Sequence, residues 1–114
     1  MKLFMSKRGY KLYLDDLNGS LRKIEKYTKG ISKKDFYSDE KTIDAVIRNF
    51  EILGEAVKNL PESLKKKYKE IPWREIIALR NKAIHEYFGI DPEILWQTIQ
   101  NDLPDLKKKL RKIK

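Results

Sequence analysis

Apolar positions recur at helical spacing along nearly the whole chain, and no stretch keeps the strict alternation of a half-buried strand. Tyr10, Tyr13, Leu14, Leu17, Leu21, Ile24 and Tyr27 mark a first long helix, with Gly30 where a left-handed C-terminal cap belongs. Ser32 followed by Asp35 predicts a short capped turn or helix around Lys33 to Phe36. A second long helix follows Ser38, with Ile43, Val46, Ile47, Phe50, Leu53, Val57 and Leu60 on its apolar stripe and Pro61 beyond it. Gly54 sits inside that stripe. A glycine there costs about 1 kcal/mol of helix propensity relative to alanine, so its use is to let another helix come close.

A short helix over Pro61 to Tyr68 leads to a third long helix, for which Pro72 fits the first helical position and which runs to about Phe88 before Gly89. Asp91-Pro92 repeats a start signal for the last helix, whose stripe is Leu95, Ile99, Leu103, Leu106, Leu110 and Ile113, with a kink expected at Pro104. The pattern predicts an all-α fold: an antiparallel bundle of four long helices plus one or two short ones. At 114 residues, 1–114 forms a single domain with one core.

Charge changes the picture. Lysine and arginine total 26 against 17 acids, a formal net charge of +9, which attracts polyanions and makes nucleic acid the leading partner class. The cations cluster at Lys65, Lys66, Lys67 and Lys69 and again from Lys107 to Lys114. Such runs are either solvated helix ends that complement the dipole or RNA-binding surfaces. Cysteine is absent, so disulfides, thiol nucleophiles and thiolate metal sites are excluded, in keeping with a reducing compartment. Neither a signal-peptide core nor a membrane span is visible, and a cytoplasmic location is expected.

The candidate chemistry lies in Arg80-Asn81-Lys82-Ala83-Ile84-His85-Glu86-Tyr87, which contains the only histidine. Imidazole both accepts and donates a proton near pH 7, and guanidinium suits phosphate. At about 100° per residue, Trp73, Ile76, Ile77, Ile84 and Tyr87 share a stripe with Arg80 in its middle, whereas His85 lies roughly 140° away with Asn81 within about 40° of it. A charge on an apolar stripe needs a partner. Either Glu51 or Glu55 pairs with Arg80, or Arg80 sits at a cleft edge to hold a phosphate. Tyr87 is either a core aromatic or a hydroxyl at the cleft mouth.

Cleaving RNA without metal takes a base for the 2′-hydroxyl proton, an acid for the leaving 5′-oxygen and a cation for the phosphorane. One histidine supplies half of this, so the chemistry calls for a two-fold homodimer with two motifs in one groove. Scattered carboxylates and one histidine do not converge at ligand spacing, and neither a metal nor a cofactor is expected.

These residues resemble the HepT-like toxins of the HEPN superfamily, whose signature of arginine, four residues, histidine, any residue and tyrosine is matched by Arg80, His85 and Tyr87. The usual polar residue after the arginine is Asn81. The resemblance extends from Tyr13-Leu14-Asp15-Asp16 through the block Ala45 to Ala56 and Ile71-Pro72-Trp73-Arg74 to Asn101-Asp102-Leu103-Pro104. It departs at Lys82, where relatives often carry an apolar residue. It implies a HEPN-like helical domain and a homodimeric metal-independent endoribonuclease with Arg80 and His85 catalytic and Asn81 supporting, while the expected RNA contacts by Lys82, Lys65, Lys66 and Lys67 rest on their charge. It further implies a toxin–antitoxin pair with a minimal nucleotidyltransferase (MNT) antitoxin that transfers AMP to Tyr87. Two other readings are a non-catalytic nucleotide- or substrate-binding subunit of such a nucleotidyltransferase and a basic protein that coats nucleic acid.

Overall fold

The computed structural model describes residues 7–85 and 91–113, with the side chains of 7, 8, 79 and 82–85 outside the description. Its helices are α1 (Lys7–Thr28), α2 (Lys33–Ser38), α3 (Glu40–Asn59), α4 (Glu62–Lys67), α5 (Trp73–His85), α6 (Pro92–Gln97) and α7 (Leu103–Leu110), the last two joined by a π turn over Thr98–Asp102. Among the described residues there is no strand. The all-α class predicted from periodicity holds.

Local chemistry sets the boundaries. Gly30 adopts φ +78°, a left-handed conformation that L side chains resist, and closes α1. The Ser32 hydroxyl accepts the Asp35 amide at 3.0 Å and opens α2. Asp39 caps α3, accepting the Thr42 amide at 3.0 Å and its hydroxyl at 2.6 Å, and these bonds hold its carboxyl below the usual carboxylate range. Asp91 caps α6 and Pro92 occupies its first turn. Pro72 behaves otherwise than predicted: α5 begins at Trp73, and Pro72 precedes it, its carbonyl accepting the Ile76 amide at 3.1 Å. The expected stop at Phe88 and Gly89 lies outside the described residues.

The core is assembled from the predicted stripes. Leu17, Leu21 and Ile24 of α1 meet Val46, Ile47, Phe50, Leu53 and Val57 of α3, with Trp73 and Ile76 of α5 on its other side. Burying each such side chain contributes roughly 1.5–3 kcal/mol before entropy. Tyr13 and Asp16, early in α1, share a groove with Glu55 and Asn59, late in α3, so these helices run antiparallel. Leu95, Ile99, Leu103, Leu106 and Leu110 close the core, and Lys107 ties α7 to Glu25 of α1 at 2.9 Å.

Two details differ from the periodic reading. Tyr27 is 37 % exposed, because Thr28, four residues on from Ile24, takes the inward position and returns its hydroxyl to the Ile24 carbonyl at 2.8 Å. Ahead of Pro104 the helix widens into a π turn, in which the Leu103 amide reaches the Thr98 carbonyl five residues back. The wider turn accommodates a proline that brings no amide hydrogen and whose ring would clash in a tight α-helical ladder.

Candidate functional site

Arg80 leaves α5 toward α3 and lies directly on Gly54. A Cβ built at Gly54 would run into the Cβ and Cγ of Arg80. The glycine thus seats the aliphatic stem of the arginine on the α3 backbone, the close approach its place in the stripe predicted. From this seat Arg80 Nη2 reaches Glu55 Oε2 at 2.8 Å, and Nη1 donates to Asn81 Oδ1 at 2.7 Å. Arg80 Nε is buried without a hydrogen-bond partner. Of the two carboxylates that could pair with Arg80, the structure uses Glu55. Glu51 lines the same groove.

The ion pair is partly solvated, with side-chain exposures of 22 % for Arg80 and 52 % for Glu55, so it contributes about 1 kcal/mol or less to stability. Its effect is geometric. A guanidinium carries five N–H donors in a plane. One is directed at Glu55 and one at Asn81, which among the described residues leaves an N–H on each terminal nitrogen for a further acceptor. The Asn81 amide, one residue on, carries the guanidinium toward the side of α5 where the helical period places His85. Ala78, on that same side, is exposed, as expected of a face outside the core.

The groove beside Arg80, about 420 Å³, runs between α1, α3 and α5. Asp16, Glu51 and Glu55 line it against Arg48 and Arg80, so carboxylates outnumber guanidiniums there. A polyanion is disfavoured on this side. The periodic reading missed Arg48 and Asp16 as neighbours of the site. It also missed buried Asn49, whose amide donates to the Ala45 carbonyl at 2.9 Å while its Oδ1 has no partner.

The remaining candidates fall elsewhere. His85 belongs to α5 by its backbone, and its side chain and that of Lys82 lie outside the described residues, as does Tyr87 entirely. Lys65, Lys66 and Lys69 line a separate groove with Pro72, Trp73 and Arg74 at the start of α5, while Lys67 Nζ lies over the Tyr68 ring, 5.6 Å from its centroid. Lys65 faces Glu62 at 3.6 Å. The structure does not gather this cluster with Arg80 and Asn81. Among the described residues no three histidines or carboxylates are grouped to hold a metal ion, and no helix is long and apolar enough to cross a membrane.

The Gly54 seat gives a direct prediction. Gly54→Ala pushes α5 from α3 or displaces Arg80, and overpacking of this kind costs about 1–3 kcal/mol. Thermal denaturation followed by circular dichroism should register a melting point lower by several degrees. An unchanged melting point would show that the helices have room there.

A family model described as "Ribonuclease HepT-like" matches residues 17–113. The "Probable ribonuclease HepT" of Thermococcus cleftensis is 47 % identical over 108 residues, covering 95 % of this chain and 98 % of that protein. The "Putative RNase TTE0752" of Caldanaerobacter subterraneus subsp. tengcongensis is 42 % identical over 101 residues, 89 % of this chain and 90 % of that one. The "Gamma-glutamylcyclotransferase and putative RNase MJ0434" of Methanocaldococcus jannaschii is 41 % identical over 94 % of this chain, which spans 48 % of that longer protein. No solved structure matches the chain significantly. Helical architecture, the Arg80 motif and these matches agree: the chain belongs to the HepT-like ribonuclease family of the HEPN superfamily.

Proposed function

We propose that this protein is a metal-independent endoribonuclease, active as a homodimer and the toxin half of a toxin–antitoxin pair. The observation that carries this reading is the Arg80 guanidinium, held by Glu55 at 2.8 Å and by Asn81 at 2.7 Å with outward donors left over, five residues before the only histidine. In the reaction, one His85 imidazole removes the proton of an RNA 2′-hydroxyl, whose oxygen attacks the adjacent phosphorus. The bond from phosphorus to the 5′-oxygen breaks, and the His85 imidazolium of the other protomer protonates that oxygen. The products are a 2′,3′-cyclic phosphate and a 5′-hydroxyl. Arg80 binds the phosphorane's negative oxygens, which strengthen as acceptors in the transition state. Asn81 holds Arg80 in register, and Lys82, Lys65, Lys66 and Lys67 contribute attraction to the strand.

The direct test is purified protein with RNA in excess EDTA: the RNA is cut, and DNA of the same sequence is not. RNA that stays intact would favour the non-catalytic binding subunit instead.

Dimerisation follows from the need for a base and an acid in one step. Sedimentation should find a dimer at working concentrations, and activity should fall as the protein is diluted to dissociation. A monomer fully active at nanomolar concentration would contradict the shared groove.

Control falls to Tyr87. Its phenolic oxygen attacks the α-phosphorus of ATP on the nucleotidyltransferase partner, pyrophosphate leaves, and the adenylate blocks and repels RNA beside the phosphate site. Incubation with the cognate nucleotidyltransferase, ATP and magnesium should add AMP masses to Tyr87 and stop cleavage, and Tyr87→Phe should escape. An adduct elsewhere, or adenylylated protein that cuts at the original rate, would contradict this role.

A further inference from the structure

A second groove, about 720 Å³, opens between the end of α1 and the α6–π turn–α7 segment, lined by Arg22, Lys26 and Lys29, by Trp96 and Gln100, and by Lys107. It is distinct from the groove at Arg80. Arg22, Lys26 and Lys29 lie roughly 140° around α1 from Tyr13 and Asp16, and the groove is centred some 15 Å further along the helix.

Its charge is largely uncompensated. Lys107 pairs with Glu25 at 2.9 Å, whereas among the described residues no carboxylate pairs with Arg22, Lys26 or Lys29, and all three are exposed. Lys26 in the last turn of α1 also complements that helix's dipole, but this does not account for Arg22, more than a turn earlier, or for Lys107 on another element. Cations from two elements therefore face one cleft in which carboxylates are outnumbered.

The floor is aromatic. Trp96 is half-buried, its indole resting against the fully buried Phe36 with 5.2 Å between ring centroids, so the ring is held in place where it borders the cleft. Gln100, in the π turn, lines the wall beside Pro104. The Gln100 side-chain amide thus lines the same groove as the cations and the ring, and its oxygen is an acceptor suited to ribose hydroxyls. Phosphate-binding cations, a fixed aromatic for base stacking and acceptors for hydroxyls are the elements of a single-strand binding surface.

We propose that this groove is a second polynucleotide site, which holds a single-stranded stretch of RNA away from Arg80. The identity of the polymer rests on the ribonuclease reading; the binding itself does not require cleavage.

The test uses a fluorescein-labelled 2′-O-methyl oligonucleotide, which lacks the attacking hydroxyl and stays intact, with binding followed by anisotropy across a salt series. The triple variant Arg22→Glu, Lys26→Glu, Lys29→Glu changes only exposed side chains. It should bind at least about tenfold more weakly at low salt, with a log–log salt slope shallower by about 2, as for the loss of three single-strand phosphate contacts. Trp96→Phe, which keeps a ring against Phe36, should weaken binding several-fold. An affinity and salt slope equal to those of the unmodified protein would overturn the proposal. Binding that depends on these residues, in a protein that leaves ordinary RNA uncut, would support the groove and overturn the ribonuclease reading alone.

Discussion

Replacing His85 by alanine should lower RNA cleavage by at least about a hundredfold, the lower end of what a positioned acid or base supplies. The loss should fall on kcat, since proton transfer matters in the transition state and little in binding. Fold and assembly should persist. The helical period sets His85 roughly 140° from Arg80, away from the stripe on which Trp73 and Ile76 are buried. The variant should therefore melt near the unmodified protein and sediment like it. Residual activity within about tenfold would exclude His85 as an essential acid or base, and a large fall in melting point would assign it to the core.

Arg80→Ala should reduce cleavage by about 10²–10³ and also weaken RNA binding, because the guanidinium meets the phosphate in both ground and transition states. Arg80→Lys should restore only part of this: an ammonium supplies the charge but not the fork that reaches Glu55 and Asn81 together. The melting point should fall modestly in Arg80→Ala, where the stem on Gly54 is lost together with a partly solvated ion pair, and less in Arg80→Lys, which keeps that stem. The contrary result is specific. If Arg80→Ala kept full activity while melting far lower, the pair with Glu55 would be the arginine's whole purpose.

What the sequence made legible was local. Gly30, the Ser32 cap and the Asp91-Pro92 start are decided by backbone conformation and one or two hydrogen bonds within four residues, so they stand in the structure as expected. The stripes of α1 and α3 were equally plain because a helix must bury one face. The choice between Glu51 and Glu55 was not, since residues four apart on a helix differ by only about 40° and both face the same groove. That choice depends on how far α5 slides along α3, which the Gly54 contact fixes.

The π turn at Thr98–Asp102 escaped for a related reason. A proline in a helical pattern signals a conflict, but not the widened turn ahead of it, which leaves Ile99 and Leu103 both buried. Thr28 in place of Tyr27 shows that a small polar side chain able to satisfy itself on the preceding turn competes for an inward position. The lysines 65–67 illustrate the limit of charge counting. Composition announces a polyanion partner, yet the fold sets Lys65 and Lys66 of α4 in a groove beside the start of α5 and leaves a further set of unpaired cations in the groove with Trp96.

In the proposed reaction, cleavage proceeds through the RNA's own 2′-hydroxyl with protein acid–base groups alone. The most direct measurement is mass spectrometry of the fragments released from a short RNA of known sequence by the purified protein in EDTA. Upstream fragments should end in a 2′,3′-cyclic phosphate and downstream fragments should begin with a 5′-hydroxyl, and one 2′-deoxy residue at the cut site should abolish that cut. Fragments with 3′-hydroxyl and 5′-phosphate ends, or cutting that survives the 2′-deoxy substitution, would contradict it.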